Sequence, residues 1–326
     1  MKKYFDVAFW AAIFRGSPTL RRYLLKRKLS LKYPTFLLIE PTNHCNLKCI
    51  FCPRGKSPRE LGFMSFQTLE NIIADSLKYG KRSVIGFQKD GEPLLHRELE
   101  EMISFTRKSG AARIIHMATN GILLDENRAE KIIKSGIDDL LISLDASSPE
   151  TYKKVKGVDT FGKVEENVRN FFKVRKVLKV KKPFVRVKII NMQGTKEEIS
   201  GFKRRWRDIA DRVEVRNFVP WGEVEDNSPV DYGKIRRYPC PYLWYMAAIN
   251  WDGRVSICCG DYKCEGVLGN VNDASLYDMW HGEPLHSMRA SHLEGMFEDV
   301  PVCKDCQVWL QEEDIGYWLR KKFGNQ

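Results

Sequence analysis

The chain has no apolar run near the roughly 20 residues that a bilayer span demands. Val7-Ala-Phe-Trp-Ala-Ala-Ile-Phe14, an apolar run of eight, falls far short. It shows no secretory signal with a small-residue cleavage site, no internal repeat and no low-complexity tract. Its nine cysteines are not spread as a disulfide framework. These absences argue against a membrane-spanning protein, a solenoid and a secreted disulfide scaffold. They lead to the expectation of a reducing, cytoplasmic setting with metal-bound thiols. Acidic residues are outnumbered 42 to 54, which leaves a net charge of +12. That surplus suits an acidic partner: a phosphorylated substrate, an anionic membrane surface, RNA or an acidic electron donor. What remains is ordinary for a globular chain, with 43% hydrophobic and 29% charged residues. A length of 326 residues accommodates one barrel-sized domain and a small one.

The chemistry concentrates in Glu40-Pro-Thr-Asn-His-Cys-Asn-Leu-Lys-Cys-Ile-Phe-Cys-Pro-Arg-Gly55, where Cys45, Cys49 and Cys52 follow the spacing C-x3-C-x2-C. Thiolates hold iron–sulfur clusters, and a short loop with close cysteines wraps one cluster. Three ligands for four irons leave one iron open. A structural zinc ion wants four closed ligands, so a local triplet suits zinc less well.

Around this loop, strand and helix signals alternate from Thr35 to about Pro220. Phe36-Leu-Leu-Ile39 is a continuous apolar run, as in a parallel strand buried on both faces. Further strands are expected at 84–87, 114–118, 140–144, 184–190 and 213–218. Ser65 and Asp125 are expected N-caps. Leu69, Ile72, Ile73 and Leu77 share one helical face, and Gly80 follows as the C′ glycine. The helix from Glu98 to Lys108 lacks a capping residue. Gly162 to about Lys179 and Lys196–Asp211 complete the helices. Six strand–helix units in about 185 residues predict a partial (β/α)6 TIM-like barrel, with its active site at the strand C-termini.

Residues 221–231 turn polar and loop-like, and a second domain is expected near Tyr238. Ala247–Ile257 reads as a β-hairpin around Asp252-Gly253. Cys240 stands just before the hairpin and Cys258 just after it, and Cys303-Lys-Asp-Cys306 adds a pair 45 residues on. These four make a complete ligand set. A zinc ribbon is the other reading of the quartet. Ahead of the barrel, residues 1–33 combine the apolar run with Arg15, Arg21, Arg22, Lys26, Arg27 and Lys28. They read either as a basic amphipathic segment on a membrane surface or as a helical hairpin packed on the barrel.

The cysteine triplet resembles the signature of the radical S-adenosylmethionine (radical SAM) superfamily. In that family, the open iron is chelated by the amino and carboxylate groups of the methionine part of SAM. Lys89-Asp-Gly-Glu-Pro93 resembles the family's Gly-Gly-Glu-Pro motif, which holds the SAM amino group; Asp90 replaces the first glycine. Gly91 is the residue free to adopt backbone angles closed to others, and Glu92 accepts from an ammonium. Thr119-Asn120-Gly121 and Ser143-Leu-Asp145 look like the family's segments near the SAM methionine and ribose. Asn-Gly and Asp are equally ordinary turn residues. Phe51 matches the aromatic position next to adenine, and Asn191 is a further candidate SAM contact. The second cysteine set resembles a SPASM/twitch extension, with Cys240, twelve residues, Gly253, four residues and Cys258. The long cysteine run of a full SPASM domain is missing, which implies the twitch form with one auxiliary [4Fe-4S] cluster. Cys259 and Cys264 are left over, either structural or, for Cys264 above all, a hydrogen-atom donor.

The resemblance implies residues 1–33 as an N-terminal basic segment, 34–221 as the core barrel, 222–237 as a linker, and 238–326 as the auxiliary-cluster domain with a C-terminal helix. It implies SAM, a [4Fe-4S] cluster with an open iron, and an acidic electron donor such as flavodoxin or ferredoxin. The expected reaction is reductive SAM cleavage to a 5′-deoxyadenosyl radical, which takes a hydrogen atom from substrate. Single-auxiliary-cluster relatives direct the expectation to oxidation or epimerisation of a carbinol carbon in a sugar or cyclitol. Lys188 and Arg216 either point into the barrel toward substrate or are solvated or paired. Maturation of a ribosomal peptide is the alternative, without a recognisable N-terminal winged-helix domain. A basic zinc-ribbon protein binding RNA is an alternative of another class, and it leaves the triplet unexplained.

Overall fold

The computed structural model describes residues 32–229, 231 and 237–311. The helical segment expected over residues 1–33, with its choice between membrane and barrel, lies outside the described residues except for Lys32 and Tyr33. The expected C-terminal helix also lies outside them.

Six parallel strands succeed one another as neighbours in chain order: β1 (Phe36–Ile39), β2 (Arg82–Phe87), β3 (Ala112–Thr119), β4 (Asp139–Ser143), β5 (Phe184–Asn191) and β6 (Arg212–Asn217). Helices α1 (Phe66–Lys78), α2 (Leu99–Lys108), α3 (Glu126–Lys134), α4 (Pro149–Lys156), α5 (Phe161–Val177) and α6 (Ile199–Trp206) fill the crossovers. Each parallel pairing needs such a crossover, and the helices cover the sheet. Leu37, Leu38 and Ile39 are accordingly buried. This is a partial (β/α)6 TIM-like barrel.

The local signals explain most helix starts. Ser65 accepts from the Thr68 amide at 3.0 Å, and Asp125 from the Arg128 amide at 2.8 Å. Leu77 is 44% exposed, contrary to the expected face, because buried Ser76 takes the inward place in the last turn of α1. The uncapped start of α2 is met from outside the helix: His96 Nδ1 accepts from the Glu98 amide at 3.1 Å. Between β4 and β5 the sequence reading has one helix, whereas the structure has two. Ser148 caps α4, Pro149 opens it, and Gly157 closes it at φ +76°.

Beyond the polar stretch come α7 (Tyr242–Tyr245), β7 (Met246–Ile249), β8 (Arg254–Ser256), β9 (Val267–Asn270), α8 (Leu276–His281) and α9 (Glu283–Glu294). The hairpin β7–β8 turns at Gly253, φ +85°. β7 does not stand apart from the barrel. It pairs parallel with β1, Phe36–Ile39 against Met246–Ile249. A single nine-stranded sheet therefore crosses the boundary expected at residues 222–237, in the order β6-β5-β4-β3-β2-β1-β7-β8-β9. One apolar core joins Leu37 and Ile85 to Ile249, Val255 and Trp280.

Candidate active site

A cavity of about 800 Å³ opens where the parallel strands end. Its wall holds Cys45, Cys49 and Cys52, the 88–92 turn after β2, Thr119 and Asn120 after β3, Ser143 at the end of β4, and Lys188 and Arg216 on β5 and β6. Phe51, Gly91 and Glu92 also line it. Asp145 is fully buried just behind Ser143, and Asn191 turns aside to donate to Asn217 Oδ1 at 2.9 Å.

The cysteine loop hangs from fixed backbone. Lys48 and Ile50 donate their amides to Lys156 O and Val155 O at 3.1 and 3.0 Å, so the carbonyl end of α4 holds the loop. These are the carbonyls that a helix leaves without internal partners. On the other side, Glu92 donates its amide to His44 O at 2.8 Å. Gly91 is needed here for proximity. Its φ lies outside the left-handed region, so the expectation of unusual backbone angles is corrected. A Cβ on Gly91 would lie 2.1 Å from Thr42 O and 2.6 Å from His44 O.

Glu92 is buried and accepts from Thr119 Oγ1 at 2.6 Å, the Asn120 amide at 2.7 Å and the Leu94 amide at 3.1 Å. It thereby locks the ends of β2 and β3 together. Burial pushes its carboxyl above the usual value, against the pull of these donors. Asn120 Nδ2 continues the chain to Asn46 Oδ1 in the cysteine loop, at 2.7 Å.

A second group stands below Ser143. Lys156 Nζ donates to Asp145 Oδ2 at 2.6 Å and lies 5.2 Å from the Phe51 ring centre. Asp145 also accepts from Ser143 Oγ and from the Ile190 amide at 3.0 Å. Burial favours neutral forms, yet Lys156 and Lys188 outweigh it and hold the Asp145 carboxyl below its usual value. The Lys156 ammonium is held up, against burial, by Asp145 and Cys49. Lys188 goes the other way: burial, with Arg216 and Lys156 nearby, depresses it despite Asp145. Lys156 was missed in the sequence because α4, which ends on it, was missed.

Arg216 pairs with Glu214 on its own strand. Glu214 also accepts from Arg186 NH1 at 2.8 Å, and Arg186 NH2 donates to Asp139 Oδ2 at 2.7 Å. Asp139 meets His116 Nδ1 at 2.7 Å. A polar chain thus crosses the barrel interior from β6 to β3.

The quartet gathers behind the Cys259 side of the wall. Cys240, Cys258, Cys303 and Cys306 feel one another's charge, with Cys259 among them. All nine thiols are free of disulfides. Backbone amides two residues on donate to the sulfurs of Cys45, Cys52, Cys240, Cys258 and Cys306. Amide donors favour thiolate, whereas burial pushes Cys52 up to about 12 and Cys240 and Cys258 well above the usual thiol value. The amide donors would stabilise metal-bound thiolates, so the donor chemistry of both sets fits metal-held sulfur. Cys264 is not at the cavity. It is 7% exposed, and its sulfur accepts from Asn250 Nδ2 at 2.9 Å inside the hairpin turn. Of the two leftover thiols it is Cys259, and not the expected donor Cys264, that lines the wall.

Fold and cysteine sets together define an iron–sulfur enzyme barrel with an auxiliary iron–sulfur domain. Residues 39–185 match the Radical SAM superfamily, and residues 240–307 match SPASM, an iron–sulfur cluster-binding domain. The chain thus carries a radical SAM domain, which implies SAM with a [4Fe-4S] cluster, and a SPASM domain, which implies an auxiliary iron–sulfur site.

It is 24% identical, over 330 aligned residues, to a tungsten-containing aldehyde ferredoxin oxidoreductase cofactor-modifying protein of Pyrococcus furiosus, covering 87% of this chain and 91% of that one. A probable GTP 3',8-cyclase of Methanocaldococcus jannaschii is 31% identical over 188 residues, covering 57% of this chain and 60% of the cyclase's length. Among solved structures, BtrN in complex with AdoMet and 2-DOIA superposes with a TM-score of 0.53 at 21% identity, covering 84% of this chain and 92% of BtrN. That likeness concerns the fold. Among the described residues no helix is long and apolar enough to cross a membrane.

Proposed function

We propose that this radical SAM enzyme oxidises a carbinol carbon of a hydroxyl-rich small molecule, of sugar or cyclitol type. The observation that carries the reading is the second cysteine set, Cys240, Cys258, Cys303 and Cys306, whose thiols bear on one another's charge and which would together supply four ligands. Four protein ligands leave no open iron for substrate, which suits an electron acceptor. SAM with the cluster held by Cys45, Cys49 and Cys52 would supply the radical chemistry that removes a hydrogen atom from carbon, and a cluster held by the second set would supply an acceptor for one electron.

The chain's own residues do the rest. Cys45, Cys49 and Cys52 hold the first cluster in a loop fixed by α4. Gly91 and Glu92 present the Gly-Glu-Pro turn to the SAM amino group, and Asn120 ties that turn to the cysteine loop. Ser143 and Asp145 receive the ribose with Lys156 as counter-charge; Phe51 flanks the adenine, and Asn191 stands at the outer edge of this group. Lys188 takes the hydroxyl proton of the oxidised carbinol, because its depressed ammonium releases a proton more readily than an ordinary lysine. Arg216 faces substrate oxygens while Glu214 fixes its direction. Residues 34–221 form the core, 222–237 the connection and 238–326 the auxiliary unit. An acidic flavodoxin or ferredoxin is the expected electron source, and the setting is cytoplasmic.

The measurement that tests this is solvent-deuterium tracing with a hydroxyl-rich substrate. Oxidation yields a ketone, one 5′-deoxyadenosine per turnover and no solvent deuterium at the product carbon. Cys259 on the cavity wall favours a second reading, epimerisation, in which its thiol returns a hydrogen atom. Deuterium at an inverted carbon, abolished in Cys259→Ala and retained in Cys264→Ala, would establish that reading and reject oxidation.

A further inference from the structure

Two residues of the Lys89-Asp90-Gly91-Glu92 turn are not used by the chemistry above. Lys89 has a fully buried side chain, and its ammonium pairs with Asp90 Oδ2 at 2.5 Å. The same ammonium donates to Asp261 O at 3.2 Å, three residues after Cys258. Asp90 Oδ2 also receives Arg59 NH1 at 2.9 Å, and Arg59 pairs with Glu40 at the end of β1. Glu40 in turn accepts the Trp251 amide of the β7–β8 turn at 3.1 Å. Four charges, two of each sign, are thus buried to 2% exposure or less between barrel and C-terminal unit. Both ends of the chain grip that unit, one at the hairpin turn and one at the Cys258–Asp261 turn.

Burying four charges carries a large desolvation cost, and hydrophobic replacements are often as stable or more so. Stability alone is therefore a poor account of the network. Its polarity is more informative. Lys89 and Asp90 bear with opposite sign on Cys259 beside the second thiol set, and Asp90 bears on Cys52 of the first as well. Asp90 also stands where the family motif has glycine, and its carboxylate is the counter-charge that Lys89 and Arg59 share.

We propose that Lys89 is a positioning residue whose buried ammonium, anchored by Asp90, Arg59 and Glu40, fixes the auxiliary thiol set against the barrel and sets the reduction potential there. A fixed positive charge favours the more negative, reduced state of a neighbouring cluster, and Asp90 moderates that pull. The inference rests on the two-cluster assignment but not on any substrate.

Reduction potential, followed by the electron-spin signal of the auxiliary cluster in anaerobic protein without SAM or substrate, tests it. In Lys89→Met the auxiliary signal should develop only at more negative potential, with iron content unchanged. Lys89→Arg should stay near the parent. Asp90→Asn, which keeps the shape and removes the counter-charge, should shift the potential the opposite way. Unchanged potentials in both Lys89→Met and Asp90→Asn, with iron retained, overturn the proposal. If Lys89→Met does not load iron, Asp90→Asn decides alone, and an unmoved potential there is equally fatal. A parent protein with no auxiliary signal would reject the two-cluster assignment instead.

Discussion

Gly91 shows how a single hydrogen in place of a methyl group underlies the site. Its Cα faces the backbone of Thr42–His44, where any side chain would sit inside the contact distance of two carbonyl oxygens. Backbone cannot yield as a flexible side chain does, so Gly91→Ala should cost roughly 3 kcal/mol or more. Calorimetry should show a lowered melting temperature, and equilibrium dialysis at least tenfold weaker SAM binding.

Asp139 makes a different residue-scale prediction. His116 and Arg186 outweigh burial and hold its carboxyl below the usual value. A carboxylate depressed in the folded state contributes stability above its unfolded value of about 3.9, and that contribution is lost as pH falls through the folded value. Acid unfolding of the parent should therefore steepen below pH ~4. Asp139→Asn should flatten that limb and destabilise the protein at pH 7 by about 1–3 kcal/mol, since buried Arg186 loses one of its two anions and keeps Glu214. Urea melts across pH measure both; an unchanged acid limb would remove Asp139 from the explanation.

Among the elements, α4 is the one whose absence from the sequence reading cost most. The six strands were legible, because parallel strands covered on both faces are short apolar runs. Ser65 and Asp125 were legible as caps. α4 has only eight residues, three of them lysines, and its apolar pattern is too short to register. Its signals were Ser148-Pro149 at the start and Gly157 at the end. With α4 went Lys156 and the hook for the cysteine loop. The charge network was invisible for another reason: Glu40, Arg59, Lys89 and Asp90 come together through the pairing of β1 with β2 and β7. The thiol triplet and the Gly-Glu-Pro turn could be read because their residues are close in sequence, and the quartet because its spacing resembles a known extension. Gly157 should be intolerant of substitution, being left-handed with Lys48 O 2.8 Å from a would-be Cβ. Gly157→Val should shift the first cluster's electron-spin signal and accelerate its loss in air, with the auxiliary signal unaffected.

The whole molecule should carry about eight irons when purified anaerobically, and about four when Cys45, Cys49 and Cys52 are all replaced by Ala. The triple variant should lose SAM cleavage and keep the auxiliary signal; full iron retention would refute the placement of the first cluster. The continuity of the sheet has a further consequence. β1 is held on one side by β2 and on the other by β7, whose residues lie more than 200 positions beyond β1 in the chain. The covalent link between barrel and auxiliary unit is therefore redundant once folding is complete. A chain nicked between Glu223 and Asn227 should behave as one particle, its two pieces co-migrating on gel filtration until denatured. The pieces expressed separately should each be insoluble: the first would expose the edge of β1, and the second would present β7 with no parallel neighbour.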